Sequence, residues 1–307
     1  MDSILDLVIV GSGAAGLTAG IYAKRAGLNF VIIEKEFASG GQIINTYEID
    51  NYPGIYGISG YELATRLREH ADHLGAKIVS DNALEIKKSD KYIEVMAKKN
   101  TYRAAAAIVA TGARHKLLEI LGEEKYSGMG VSYCATCDGA FYKDKTVAVI
   151  GGGDAALEDA LFLSKICRKV YLIHRRDEFR AAASIQNKVI ESSNIELIMD
   201  TALCEIVGDE RLRQINIKNL KTEDKNSIQL DGLFVAVGAT PNSDICAAVH
   251  KDSNGYIVAA EDCKTSIDGI FAAGDVRTKK LRQVITACAD GAVAVASAYD
   301  YLRSINI

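Results

Sequence analysis

Short runs of unbroken apolar residues recur along the chain, each followed by a glycine-rich turn and then by a stretch with helical spacing. Residues 5–10 (LDLVIV) lead into GSGAAG and a helical segment at 17–27 (LTAGIYAKRAG), and a second apolar run at 29–35 (NFVIIEK) carries Glu34 near its end. The same order returns with TVAVI at 146–150, GGGDAALEDALFLSKI running to Ile166, and KVYLI at 169–173. A run that is apolar at every position predicts a parallel strand covered on both faces. Strand, turn, helix and strand in this order predict two βαβ units in one chain.

The intervening segments have a different pattern. Residues 83–88, 92–99 and 101–110 form one series of short strand patterns, and 202–209, 211–220 and 227–238 form a second. Each series predicts a small antiparallel β insert within its unit. Near the end, GIFAAGDV (269–276) predicts a strand stopping at Gly274-Asp275, and residues 283–305 predict a long, mostly buried helix. The expected fold is α/β, with two Rossmann-like dinucleotide-binding domains, the second inserted in the first. The expected boundaries are 1–114 with 246–307 for the first domain and 115–245 for the second, with crossings near 113–117 and 242–247.

Composition narrows the partners. The 307 residues carry 36 Lys+Arg against 40 Asp+Glu, a net charge of −4, which argues against nucleic acid or an anionic membrane as the main partner. Asp2 and Asp6 flank an N-terminal apolar run far too short for a signal peptide or a membrane span, and the C-terminal RSINI carries no lipidation motif. A soluble, cytoplasmic protein is expected.

The glycines give the turns a chemical meaning. Gly11, Gly13 and Gly16 stand at the G-x-G-x-x-G spacing, with Glu34 18 residues beyond Gly16. That spacing allows a tight turn, close approach of the backbone to a pyrophosphate and close helix packing, and a carboxylate at this place accepts ribose hydroxyls. In the second unit Gly151, Gly153 and Ala156 repeat the pattern, but HRRDEFR follows the second strand, so Arg175, Arg176 and Arg180 stand where a carboxylate is expected. Arginines there imply a phosphate on the ribose. The first unit therefore suits FAD and the second NADPH, a pairing that passes reducing equivalents from nicotinamide to flavin.

Seven cysteines do not form the framework of a small secreted domain. Cys167, Cys204, Cys246, Cys263 and Cys288 stand singly and are expected to be small buried hydrophobes or incidental thiols. Cys134 and Cys137 form a C-x-x-C followed by Asp138. No second pair or histidine cluster accompanies them, so no metal site is expected. A redox dithiol is the favoured reading, with structural thiols three apart as the alternative.

Taken together, GSGAAG, GGQ (40–42), NYPG (51–54), ATG (110–112), CATCDG (134–139), GGGDAALEDA (151–160), HRRDEFR (174–180), FVAVGATPN (234–242), GIFAAGDV and RQVITA (282–287) resemble low-molecular-weight thioredoxin reductases over essentially the whole chain. The resemblance implies that Gly11, Gly13, Gly16, Glu34, Gln42, Asn51 and Asp275 hold FAD, with Gln283 near the flavin. It assigns NADPH to Gly151, Gly153, Ala156, Arg175, Arg176 and Arg180. It makes Cys137 the charge-transfer thiol, Cys134 the interchange thiol that attacks a substrate disulfide, and Asp138 a general acid, for which an ordinary turn aspartate is the alternative. Thioredoxin or a thioredoxin-like protein is the implied partner, and a homodimer the implied assembly. A rotation of the NADPH domain about the two crossings is also implied, because one flavin face must meet nicotinamide and disulfide in turn. Ala140 and Met129 depart from the aromatic and basic residues that similar enzymes often carry near the docking surface. The rival of the same fold is a ferredoxin-dependent flavin thioredoxin reductase or a dithiol oxidase, which is expected to lose the second glycine set or the arginines.

Overall fold

A computed structural model describes residues 4–46, 49 and 51–305, without the side chain of Asn45. Asp2 and the last two residues of the RSINI end lie outside the described residues. The chain divides into two compact units, Met1–Arg114 with Thr240–Ile307 (unit 1) and His115–Ala239 (unit 2).

Unit 1 opens with β1 (Leu5–Val10), α1 (Ala14–Arg25) and β2 (Phe30–Glu34). It continues through α2 (Gly60–His73), β3 (Ile78–Ser80), β4 (Ala83–Lys88), β5 (Ile93–Ala97), β6 (Thr101–Val109) and β7 (Ala113–His115). Unit 2 holds β8 (Val131–Ser132), α3 (Ala135–Asp138), β9 (Thr146–Ile150), α4 (Asp154–Ser164), β10 (Lys169–Ile173), α5 (Ala183–Glu191) and β11 (Ile195–Ile198). It ends with β12 (Thr201–Gly208), β13 (Leu212–Asn219), β14 (Lys225–Gln229) and β15 (Gly232–Val235), and β16 (Ala239–Pro241) returns to unit 1. The chain closes with β17 (Ile270–Ala272) and α6 (Val284–Ser304).

The sheet of unit 1 runs β3-β2-β1-β6-β5-β4, with β17 also on β6. The first four strands are parallel, and β5 and β4 turn antiparallel. The two ends of β6 have different partners: Ala104 is opposite Ile93 of β5, whereas Ala107–Val109 pair with Ile270–Ala272. The expected insert is thus fused to the main sheet through one shared strand. Side chains of β1 alternate faces, as the pleat requires. Leu7 and Ile9 enter the core beneath α1 and α6, while Val8 and Val10 enter a second core with Ile86, Ile93, Val95 and Ile257. Complete burial of a side chain of this size stabilises by about 1.5–3 kcal/mol. At Gly291 of α6 a Cβ would overlap the carbonyl of Ala15, so α6 lies hard against α1.

Unit 2 has a five-stranded sheet ordered β11-β10-β9-β15-β8, parallel in every pair, and a separate antiparallel sheet β12-β13-β14. The apolar pattern 227–238 reads as one strand but divides in two, because Asp231 turns the chain by accepting the Thr146 amide (3.0 Å). Gly232 then passes the Tyr142 ring too closely for any side chain. The two crossings pair with each other, β7 with β16. The return enters unit 1 at Thr240 rather than at 246, and Cys246 is fully buried in a unit 1 core.

Candidate functional site

The Gly11–Gly16 turn is shaped by steric exclusion. Gly11 has φ +102°, and a Cβ there would strike the Ala110 carbonyl; a Cβ on Gly16 would overlap the carbonyl of Gly11. Gly13 is different: the nearest atom to its would-be Cβ is the Gly40 carbonyl at 3.8 Å, so its open side faces a cavity of about 690 Å³. The N-terminus of α1 opens on that cavity with its free amides and partial positive charge.

Glu34 lines the cavity with its carboxylate already anchored. Ser12 donates to Oε2 through its amide and its hydroxyl, each at 2.7 Å, and the Glu36 amide donates to Oε1 at 2.9 Å. Ser12 and Ser39 are also hydrogen-bonded at 2.8 Å. Gln42 lines the wall and donates to the Ala113 carbonyl (2.5 Å). Gln283 lines it as well and accepts from the side chain of Asn51, an exposed residue, at 3.0 Å. Thr111 and Asn242 close another side through reciprocal bonds of 2.6 and 2.9 Å.

Asp275 sits in the turn Gly274–Val276 on the cavity wall. Its Oδ1 is buried without a hydrogen-bond partner among the described residues. Burial pushes its carboxyl above the ordinary range, against the pull of Lys279 and Arg282. A buried acceptor left without a donor calls for a ligand that supplies one. Cavity size, the open glycine, the anchored carboxylate and this unfilled acceptor fit a dinucleotide. Beneath the turn, Asp290 accepts from the Gly274 amide at 2.9 Å and from Arg277 and Lys279 at 2.8 Å.

In unit 2 a Cβ on Gly151 would meet the Ala156 methyl and the Ala236 carbonyl, while nothing lies within 4 Å of a Cβ on Gly153. Ala156 thus fills the place of the third glycine. Arg175, Arg176 and Arg180 are exposed and make no ion pair among the described residues. The Arg180 amide donates to the Gly152 carbonyl at 2.8 Å, which ties the basic turn to the glycine loop. This open, cationic loop suits a phosphorylated nucleotide.

Cys134 and Cys137 form a disulfide with Cα atoms 5.3 Å apart, around the single turn of α3. Both are half-buried. Ser132, itself buried, accepts from the Cys134 amide at 3.1 Å and donates to Asp138 Oδ2 at 2.6 Å, so one hydroxyl fixes the carboxylate against the dithiol turn. Of the single cysteines, Cys204 is exposed and the other four are buried, and burial pushes the Cys167, Cys246 and Cys263 thiols up to about 11. Such thiols are inert at neutral pH. Among the described residues no cluster of His, Cys, Asp and Glu is placed to hold a metal ion, and no helix is long and apolar enough to cross a membrane.

Of the residues expected in unit 1, Gly11, Gly13, Glu34, Gln42, Asp275 and Gln283 line one cavity, whereas Gly16 and Asn51 are not among its lining residues. Those of unit 2 lie on the glycine loop with the start of α4 and on the basic turn after β10, and the dithiol with Asp138 lies at one turn. Ser12, Ser132 and Asp290 complete the sites without having been singled out from sequence. Ser12 and Ser132 lie inside or beside recognised motifs, but Asp290 interrupts an apolar helix, a signal in itself, since a buried charge requires partners.

A model of the family described as "Pyridine nucleotide-disulphide oxidoreductase" matches residues 5–291. Curated proteins called thioredoxin reductase are similar over the full length. That of Peptoclostridium acidaminophilum is 41% identical over 312 residues, covering 99% of each chain. That of Treponema pallidum is 41% identical over 307 residues, covering 100% of each. A crystal structure of thioredoxin reductase from Streptococcus pyogenes matches with a TM-score of 0.94 at 40% identity, covering 99% of this chain and 100% of that one.

Proposed function

The chain belongs to the pyridine nucleotide-disulphide oxidoreductase family, and we propose that within it the protein is an NADPH-dependent thioredoxin-disulfide reductase. One observation carries this reading: the Cys134–Cys137 disulfide, stitched to Asp138 by Ser132, in a chain with two glycine-loop nucleotide units. FAD is assigned to the cavity of unit 1 and NADPH to the loop of unit 2. When bound, FAD supplies the electron relay between nicotinamide and disulfide that amino-acid side chains lack.

The protein's own residues perform the exchange. In the reduced pair the Cys134 thiolate attacks one sulfur of the substrate disulfide, forming a mixed disulfide and releasing the other sulfur as a thiolate. Asp138 supplies the proton to that leaving group. Cys137 then attacks Cys134, re-forming the internal disulfide and freeing the reduced substrate. The partner proposed is thioredoxin or a thioredoxin-like protein, the assembly a homodimer and the setting cytoplasmic. Rotation of one unit about the crossings is part of the same proposal.

The unpaired arginines support NADPH over ferredoxin as donor, and over a dithiol oxidase. Anaerobic mixing with NADPH, and separately NADH, followed by flavin absorbance, tests the reading. Rapid bleaching by NADPH alone, followed by reduction of a thioredoxin disulfide, is expected. No bleaching by either nucleotide overturns it.

A further inference from the structure

At the dithiol turn, Cys134 Sγ lies 3.5 Å from the Thr136 hydroxyl. A sulfur held in a disulfide carries no proton, so the hydroxyl is the donor. Thr136 is exposed on the single turn of α3, and Cys134, which precedes that turn, is half-buried. The backbone around Cys134 is fixed on both sides. Its amide donates to Ser132 Oγ at 3.1 Å, and its carbonyl accepts from the Cys137 and Asp138 amides at 3.3 and 3.1 Å. Opening the S–S bond therefore leaves the Cys134 sulfur within reach of the same hydroxyl.

A cysteine is usually ionised at neutral pH by an adjacent cation, a metal or a helix N-terminus. The 4 residues of α3 are too few to build a helix dipole, and no metal-holding cluster occurs among the described residues. β8, its neighbour β15, α3, the Gly139–Tyr142 turn and α4 carry no Lys, Arg or His. α4 packs directly on this region, since a Cβ on Gly139 would press on the side chains of Phe162 and Leu163. The acids of these elements, Asp138, Asp154, Glu158 and Asp159, oppose a thiolate when charged, and burial pushes Asp159 up to about 7.

The groups just outside do not replace a cation. His115 stacks on Tyr133, the neighbour of Cys134, with centroids 5.2 Å apart, and desolvation holds it below the usual histidine range, so it is uncharged at neutral pH. Tyr133 donates to Glu123 at 3.0 Å, and burial and that carboxylate keep its phenol protonated. Two cations reach the 139–142 turn. Lys145 is bound by the Phe141 carbonyl at 3.0 Å, and the charge of Arg211 opposes the burial that pushes the Tyr142 phenol up to about 12.

We propose that, once the disulfide is reduced, the Thr136 hydroxyl donates to the Cys134 thiolate and favours ionisation of that sulfur. This rests on the reading of Cys134 as the attacking thiol. The hydroxyl keeps its own proton, and the Cys134 proton goes to solvent. The Cys134 sulfur then bonds to one sulfur of the substrate disulfide, and the other leaves with the electron pair of the broken S–S bond before Asp138 protonates it. Removing the hydroxyl raises the pH at which Cys134 ionises, so reactivity is lost at a higher pH as the solution is acidified.

The test is attack of Cys134 on dipyridyl disulfide, followed across pH by release of pyridinethione. It uses the FAD-loaded protein with Cys137→Ser and with Cys204→Ser, since Cys204 is the exposed single cysteine and the other four are buried. Adding T136V should move the rate midpoint up by about one pH unit, within the range of one hydrogen bond to a charged group. Nucleophilicity rises with thiol pKa, so the rate should fall roughly three- to fourfold below the midpoint and rise roughly two- to threefold on the alkaline plateau. A merely structural loss would lower both limbs. T136A should behave as T136V does, and T136S should restore the midpoint, with flavin retention and a thermal melt reporting that each variant is folded. An unchanged midpoint in T136V and T136A overturns the role of Thr136 and leaves Cys134 standing as the attacking thiol. An unreactive Cys134, beside a reactive Cys137 when Cys134→Ser replaces Cys137→Ser, removes both.

Discussion

Arg277 grips Asp290 through two parallel hydrogen bonds of 2.8 Å, from Nε to Oδ2 and from a terminal nitrogen to Oδ1, in a pocket where both side chains are about nine-tenths buried. The same Oδ2 accepts from Lys279 and from the Gly274 amide, so one carboxylate anchors the turn that presents Asp275 to the cavity.

Asp290→Asn should destabilise the protein by about 3–5 kcal/mol, because it leaves two buried cations short of their counter-ion. Burial alone would raise the Asp290 carboxyl, but the Arg277 and Lys279 bonds outweigh it and hold it below the usual range. The stability it contributes is therefore present above the unfolded carboxyl pKa, about 3.9, and is lost as pH falls through the depressed folded value. Denaturant melts of wild type and variant across pH should converge in acid. A constant gap down to the lowest pH measured would rule this linkage out.

Asp275→Asn should have opposite effects on fold and cofactor. The folded Asp275 carboxyl is raised by burial, so its ionisation costs stability as pH rises through the unfolded pKa towards the folded one. At neutral pH the apoprotein of the variant should melt higher than wild type, yet retain FAD less tightly on dialysis. An apoprotein that melts lower would contradict the account of the unfilled acceptor.

Arg175→Ala combined with Arg176→Ala should weaken NADP⁺ by roughly 10- to 100-fold, as expected for charge-assisted hydrogen bonds of about 1.5–3 kcal/mol. NAD⁺ binding should change little. Equilibrium titrations with each nucleotide check this, and equal losses for both would detach the basic turn from the ribose phosphate.

Cys134→Ser and Cys137→Ser should each abolish disulfide turnover, by on the order of 10³ or more, since the two sulfurs act as one unit. Flavin bleaching by NADPH should survive in both. Stopped-flow absorbance beside a thioredoxin reduction assay separates the two half-reactions, and turnover retained by either variant would sink the dithiol role.

Local patterns were the most legible part of this chain. The unbroken apolar runs at 5–10 and 146–150 identified central parallel strands, because a strand covered on both faces has no polar positions to spare. Glycines at 11, 16 and 151 marked places where backbone meets backbone. The split of 227–238 into β14 and β15 was hidden, since Gly232 is explained by Tyr142, ninety residues earlier in sequence. The role of Asp290 was hidden for the same reason: a helix pattern shows that a charge is buried, but not that Arg277, Lys279 and Gly274 are its partners. The arginines of HRRDEFR were conspicuous by charge.

The pairing of β7 with β16 has a consequence for how such a chain can be taken apart. Unit 2 leaves and re-enters its host through neighbouring strands, so its two ends are side by side. A short turn joining residue 114 to residue 240 would reseal unit 1 without the insert, and the excised 115–239 would keep its own parallel sheet intact. Both joints of the insertion thus fall at a single two-stranded seam, so removing unit 2 would leave unit 1 with one short gap to close.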